Sequence, residues 1–361
     1  MLDQIVETCG INRKYLIKLL RGKRVYKPHR GRAPTFSEGA RRLLVALWRA
    51  AGMPCAEYLK PMLAKVARDY AALDGAVEEG DLAQVLRMSA STIGRVVRGA
   101  GASRNPASRN KRSGKNALRA SIPEMPGSHL PEDKPGTCQV DSVALCGGNM
   151  AESFFHIATL TDAATQWFEC APSWNRGEAS TTRAMGSIRA RLPFDMLHCH
   201  PDNGTEFINH LFVNAIAGLE PHVQLSRSRP YRKNDNCRIE QKNGSVIRQW
   251  FSDIRFDEHS QLGALEQICR DIALYTNLFV PCKKLVFKQL KPGKGVKYRK
   301  RYDKPATPLE RLRRFNPDDP RVLECVRLRE QTNLIQLYKS IHQRLRQLVR
   351  GLLATTRCPR I

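Results

Sequence analysis

The chain has 361 residues, 42% of them hydrophobic, and a formal net charge of +26. That length allows two or three domains with cores of their own, and the apolar content excludes a disordered chain. The charge calls for a polyanionic partner, and nucleic acid suits it best because phosphate contacts release counterions. A ribosomal or membrane-surface protein would share that charge.

Eleven cysteines are scattered singly, with no CxxC pair. Neither a zinc ribbon nor a disulfide framework is indicated, and a reducing cytosol fits them. The N-terminus lacks an apolar signal core, and no apolar run approaches the roughly 20 residues of a membrane span. The expected location is cytoplasmic, on the nucleoid, with no membrane partner.

Two helix–turn–helix patterns occupy the first hundred residues. In the first, Leu2, Ile5 and Val6 form one stripe, Gly10 permits a turn, and Asn12 can cap a second helix that turns Leu16, Leu19 and Leu20 inward. Arg13, Lys14 and Lys18 then lie outward, where a recognition helix would meet a groove. In the second, Leu82, Val85 and Leu86 face inward, Ser89 or Ser91 caps, and Ile93, Val96 and Val97 line the next helix, which presents Arg95. Residues 37–73 between them read as helical and amphipathic. A plain helical bundle gives similar patterns, but two such pairs in a very basic chain favour DNA binding. Residues 103–120 contain six basic residues and no acidic one, and read as a linker.

From residue 134 the period changes. TCQVDSVAL, SFFHIATLTD and TQWFECAP are strand-like runs separated by turn signals. A helix over 178–191, the strand MLHCH, a helix over 207–219, the strand HVQLS and a helix over 233–251 follow. Three antiparallel strands and then alternating helix and strand predict a mixed α/β sheet of ribonuclease-H-like order. A helix over 262–278, a basic hairpin turning at Pro292-Gly293 and an amphipathic helix over 321–353, solvated or self-associating, complete the chain. The expected divisions are a helix–turn–helix region (1–102), a basic linker (103–132), a catalytic core (133–257) and a C-terminal region (258–361).

Three acidic residues stand out. Asp141 lies mid-strand among residues that should be buried, where an unpaired carboxylate is costly. Asp202, 61 residues later, follows a strand end, where sites in open α/β sheets gather. Glu240 lies on a predicted helix that puts Asn236 and Asn243 on the same face. Each alone has an ordinary explanation as an ion pair, a turn residue or an exposed helix charge. Together they can meet in such a sheet, and three clustered carboxylates require cations, for which oxygen ligands select Mg²⁺ or Mn²⁺. His198 and His200 flank Cys199 nearby, but strand alternation argues against one shared zinc site.

HPDNGTEF (200–207) resembles the HxDNGxEF motif of DDE recombinases, the retroviral-type integrases and bacterial insertion-sequence transposases with an integrase core. SRSRPYRKNDNCRIEQKN (226–243) is similar to the stretch leading to the catalytic glutamate in one transposase group, and VDSVALCGG to its first-aspartate strand. YRKRYDKPATPLERL supports the match. The glycine–tyrosine pair common after the glutamate helix is replaced by FSDIRFD, and the zinc module of the retroviral type has no counterpart. The resemblance implies a DNA transposase or integrase that cleaves element ends and joins a 3′-OH to target DNA, assembled as a homo-oligomer on double-stranded DNA. It implies that Asp141, Asp202 and Glu240 bind two divalent ions, and that Arg229, Tyr231, Arg232, Lys233, Lys242 and Asn243 steer and position DNA. An inactive DNA-binding regulator and a ribonuclease-H-like nuclease without strand transfer are the alternatives.

Overall fold

The computed structural model describes residues 2–9, 13–20, 35–74, 77–100, 121–219, 222–230, 232–291 and 297–356. The predicted linker over 103–120, the cap Asn12 and the hairpin turn at Pro292-Gly293 lie outside them, as do the side chains of Lys18 and Lys233 and all of Tyr231.

Helices α1 (Leu2–Cys9) and α2 (Arg13–Leu20) pack on each other, with Leu16 buried between them. The stretch read as one amphipathic segment is two helices, α3 (Glu38–Ala50) and α4 (Ala56–Asp74). Gly52 and Met53 break it, both with positive φ, and Pro54 follows. With α5 (Glu79–Arg87) and α6 (Ala90–Arg98) they close a small helical core of Leu44, Leu47, Leu59, Leu63, Val85, Ile93 and Val97. Ser89 is the residue that caps α6, accepting from the Thr92 N–H. Leu86, expected inside, is 38% exposed.

The central sheet has strands β1 (Thr137–Ala144), β2 (Phe155–Asp162), β3 (Phe168–Trp174), β4 (His198–Pro201) and β5 (Gln224–Leu225) in the order β3-β2-β1-β4-β5. The first three pair antiparallel, while β4 pairs parallel to β1 and β5 parallel to β4. This mixed α/β sheet has the ribonuclease-H-like order. β2 is buried along its whole length, which is why its sequence runs apolar instead of alternating. Helices cover both faces. On β3, Ser173 bonds Thr181 of α7 (Glu178–Arg189), whereas Cys170, of opposite parity, donates to the Cys269 carbonyl of α11 (Leu262–Phe279). Between these, α8 (His210–Ala217) is capped by Asn209. The predicted helix over 233–251 is a 3₁₀ turn (Lys233–Asn236), then α9 (Cys237–Lys242), a π-helical turn (Asn243–Ile247) and α10 (Arg248–Phe251).

After α11 come the hairpin strands β6 (Leu285–Lys291) and β7 (Lys297–Tyr302) and helix α12 (Pro308–Phe315). The long terminal helix expected from the sequence is two, α13 (Pro320–Gln331) and α14 (Leu334–Thr356). Nor is the second one solvated: Leu334, Ile335, Ile341 and Leu345 are buried, and it packs on α11 and α4. Asp69, on α4, accepts the Leu334 N–H and so caps α14 from a distant part of the chain. Tyr275 donates to the Ala51 carbonyl at 3.0 Å, and a Cβ at Gly52 would lie 2.6 Å from the Tyr338 ring. The turn between α3 and α4 is thereby seated directly on the core. Among the described residues no helix is long and apolar enough to cross a membrane.

His156 on β2 is 5% exposed and stacks on Phe154, and burial, with the charge of Arg176, lowers its pKa to about 3. Between pH 6.5 and about 3 the unfolded chain therefore binds the extra proton, so stability falls as the pH drops through that window. Urea unfolding of wild type and His156→Phe between pH 7 and 4.5 should diverge. The wild type is expected to lose about 1.4 kcal/mol more per pH unit below its unfolded pKa.

Candidate active site

The site starts from the register of β1 and β4. Their parallel pairing ends at Val140 opposite Pro201, so the next residue on each chain is an aspartate, Asp141 and Asp202. The pleat and the strand end thus bring together two carboxylates that lie far apart in sequence. Asp141 is half-buried; its Oδ1 accepts the Ser142 N–H at 2.7 Å and its Oδ2 the Asn243 amide at 2.8 Å. Its pKa rises to about 8. Desolvation is the main cause, followed by the charge of Asp202, with Glu206 and Glu240 adding to it against the Ser142 hydrogen bond. Asp202, Glu206 and Glu240 therefore lie near enough for their charges to act on Asp141.

The Asp202 turn is built tightly. Asp202 accepts the Gly204 N–H at 2.7 Å, and Asn203 bonds Ser228 and Arg227 across the turn. A Cβ at Gly204 would lie 2.8 Å from Asp202 Oδ1 and 2.5 Å from Glu206 Oε2, so the two carboxylates close around a residue that has none. Glu206 is buried and accepts from Ser142 Oγ at 2.6 Å and from Arg176 Nε at 2.8 Å, with a second Arg176 nitrogen on its other oxygen. Asn175 and Arg176 both adopt positive φ, at 54° and 55°, which turns the guanidinium back over the sheet end.

Glu240 reaches the same region from α9, on the exposed side of the helix. The start of that helix is fastened to β1 by Gln139, which is fully buried. Its side-chain oxygen accepts the Arg238 and Ile239 N–H groups at 3.2 and 3.4 Å, and its amide donates to the Asp235 carbonyl at 2.7 Å. Gln139 thus satisfies the orphan donors of the helix while sitting two residues from Asp141. Asn236 donates to Val140 O at 3.3 Å. Asn243, expected on the DNA side, is instead buried against Asp141 at the first residue of the π turn, a device common at functional sites.

Other expected residues fall elsewhere. Lys242 is 6% exposed and lines a cavity with Tyr58, Trp250 and Tyr275, so it is not positioned to meet a phosphate. The Arg229 guanidinium is held by Asp235 at 2.8 and 2.9 Å, and Arg232 is exposed. Arg13 and Lys14 are exposed on α2 and Arg95 on α6. His198 and His200 both bond Ser226, at 2.7 and 2.8 Å, and His200 also bonds Ser228; they tie β4 to the segment after β5.

Among the described residues no group of three or more His, Cys, Asp or Glu is gathered closely enough to hold a metal ion. The donor chemistry nevertheless suits a hard cation. The acids are oxygen ligands, burial and their mutual repulsion raise the pKa of Asp141, a cost that a cation would relieve, and Asn243 Oδ1 beside Asp141 is buried without a hydrogen-bond partner.

No protein-family model matches the chain. An uncharacterized protein of Sinorhizobium fredii, y4rM, is 32% identical over 317 residues, covering 86% of this chain and 88% of the relative. The chain belongs to the y4rM family. Similar solved structures include the HTLV-2 integrase catalytic core domain in complex with magnesium, at 15% identity and TM-score 0.31, over 42% of this chain and 93% of that one. The catalytic core domain of BIV integrase is 14% identical, with TM-score 0.29, over 39% of this chain and 83% of that one. A simian T-cell lymphotropic virus intasome in complex with a PP2A regulatory subunit is 14% identical, with TM-score 0.31, over 57% and 66%.

The partnership of Arg176 and Glu206 has a measurable cost of removal. Arg176→Ala leaves a buried carboxylate short of donors and is expected to lower stability by about 1–3 kcal/mol. Adding Glu206→Gln should restore most of that loss in thermal or urea unfolding, since a neutral amide no longer requires the cation.

Proposed function

We propose that this chain is a DDE-type DNA recombinase, a transposase or integrase of the insertion-sequence kind, with Asp141, Asp202 and Glu240 as its catalytic carboxylates. The observation that supports this reading is electrostatic: acids on a strand, at a strand end and on a helix lie near enough for the charges of Asp202 and Glu240 to raise the pKa of Asp141. Magnesium or manganese, two ions as the resemblance implies, would be held by these three residues and would stabilise an in-line phosphoryl displacement at DNA.

The chain's own groups then have defined work. Asn243 and the Ser142 N–H fix the rotamer of Asp141, and Gln139 fixes the height of Glu240 relative to it. Arg176 keeps Glu206 neutralised, which sets it apart from the other three acids. Arg232, which is exposed, and Arg229, paired with Asp235, would position the phosphodiester backbone. The helical region over 1–102, through Arg13, Lys14, Lys18 and Arg95, would grip element ends, with a homo-oligomer holding two of them.

On duplexes carrying the element ends, Mg²⁺-dependent cleavage and joining should fall on the order of a thousand-fold in Asp141→Asn, Asp202→Asn or Glu240→Gln. Binding should survive, because these groups repel phosphate when no metal is present. Undiminished joining by any of the three would refute the assignment, and cleavage without joining in the wild type would mark a nuclease instead. Arg13→Ala with Lys14→Ala, and separately Arg95→Ala, should weaken footprints on element ends while leaving the melting temperature within a few degrees. Unchanged footprints in both would remove the helical region from end recognition.

A further inference from the structure

The ribbon of β6 and β7 has no role in the site described above. Between residues 285 and 302 there are seven Lys and Arg and no acidic residue. The strands pair antiparallel, and each is the other's only extensive partner among the described residues. An isolated two-stranded sheet is marginal in water. In its register Lys288 is the backbone partner of Lys300 and Lys291 that of Lys297. Its large apolar residues are also uncovered: Leu285, Val286, Phe287, Tyr298 and Tyr302 are 41–52% exposed.

The base of the ribbon is firm by contrast. Asp303 accepts the Lys284 N–H at 2.7 Å and returns its own N–H to the Lys284 carbonyl, and buried Arg311 bonds both Asp303 and the Cys282 carbonyl. The two lysines at that base have acidic partners, Lys283 with Glu57 and Lys284 with Glu132. Beyond them the ribbon itself offers its cations no acid. A register shift after Leu285 sets Phe287 opposite Arg301, whose guanidinium lies 5.7 Å from the ring centroid. By alternation Arg299 and Arg301 lie on one face, and Lys300, between Tyr298 and Tyr302, on the other.

We propose that the β6–β7 ribbon is a second DNA-binding element, which lies along duplex DNA with cations on both faces directed at phosphates and its aromatic rings against the groove wall. Two strands about 4.8 Å apart fit a major groove of about 12 Å, which admits a two-stranded ribbon. Phosphates on two sides would neutralise a charge for which the ribbon has no acid of its own. A membrane surface fits less well, because it would require one continuous apolar face, and here cations stand on each. The proposal rests on the recombinase reading only in taking duplex DNA as the polyanion.

The test uses the full chain and a non-cognate duplex without divalent metal, so it is independent of catalysis. Fluorescence anisotropy across a salt series should give a log–log slope shallower by about two to three in Arg299→Gln/Lys300→Gln/Arg301→Gln, because each neutralised phosphate adds about 0.9 to that slope. Affinity near 100 mM salt should drop at least tenfold with the melting temperature unchanged. A charge-matched control, Arg68→Gln/Arg313→Gln/Arg327→Gln, should keep the wild-type slope. A ribbon variant that binds like wild type overturns the proposal, and so does a control that weakens as much. Binding of phosphatidylserine vesicles that is abolished by the ribbon variant, with DNA binding intact, would also overturn it. Loss of joining in Asp141→Asn with ribbon-dependent binding preserved separates this result from the fate of the catalytic reading.

Discussion

Repulsion between carboxylates that share a poorly solvated place is the constraint on which this molecule is organised. Asp141, Asp202, Glu206 and Glu240 come from three separate stretches, and the charge of the other three helps push Asp141 far from its ordinary ionisation. Such an arrangement persists only where the surrounding structure over-determines it. The sheet supplies the first pair by register, the Arg176 turn neutralises one member, and Gln139 and Asn243 lock the helix that brings the last. Each of these interactions joins β1, β4 or the segment after β3 to an element distant in sequence.

That organisation explains why the helical region and the C-terminal helix are not loose attachments. Asp69 caps α14, Lys65 bonds the Thr332 carbonyl, and α14 in turn lies on α11, which covers β3. Trp250, at the end of the helical run that starts beside Glu240, packs among Tyr275, Tyr338 and His342. The turn between α3 and α4 and the far end of the glutamate helix thus meet the same cluster of packed rings.

Much of this was legible in the sequence. The strands of the core showed themselves because half-buried and fully buried strands leave period-two and continuous apolar runs, and Asp141 was conspicuous as a charge inside one of them. Asp202 was legible from the turn chemistry of Asn203-Gly204. What could not be read depended on tertiary interactions without a local signature. Gln139 looks like any polar residue on a strand, and only the fold reveals that it caps a helix a hundred residues away. Lys242 belongs to a run of basic residues that reads as a DNA-facing surface, yet its side of the helix meets the N-terminal region. Glu206 sits within the recognised motif, but the arginine that neutralises it lies in a positive-φ turn that sequence alone does not mark. The terminal helix reads as continuous because its amphipathic pattern carries across the break, yet Asn333 caps the second helix locally by accepting the Ile335 and Gln336 N–H groups, and Asp69 adds a tertiary cap at the Leu334 N–H.

The π turn at Asn243 makes the geometry of the glutamate helix depend on residue count. A π turn accommodates one residue more than the regular ladder, and each α-helical residue rotates the chain by about 100°. Deleting a single position between Asn243 and Ile247, such as the exposed Ser245, would let the ladder revert to plain α with its two halves in nearly the same phase. Inserting one more residue, where the turn already holds an extra one, would instead swing everything on one side of it by about 100°. Either Asn243 would then leave Asp141 or Trp250 would leave its aromatic nest. This stretch should therefore accept the loss of a residue far better than the gain of one.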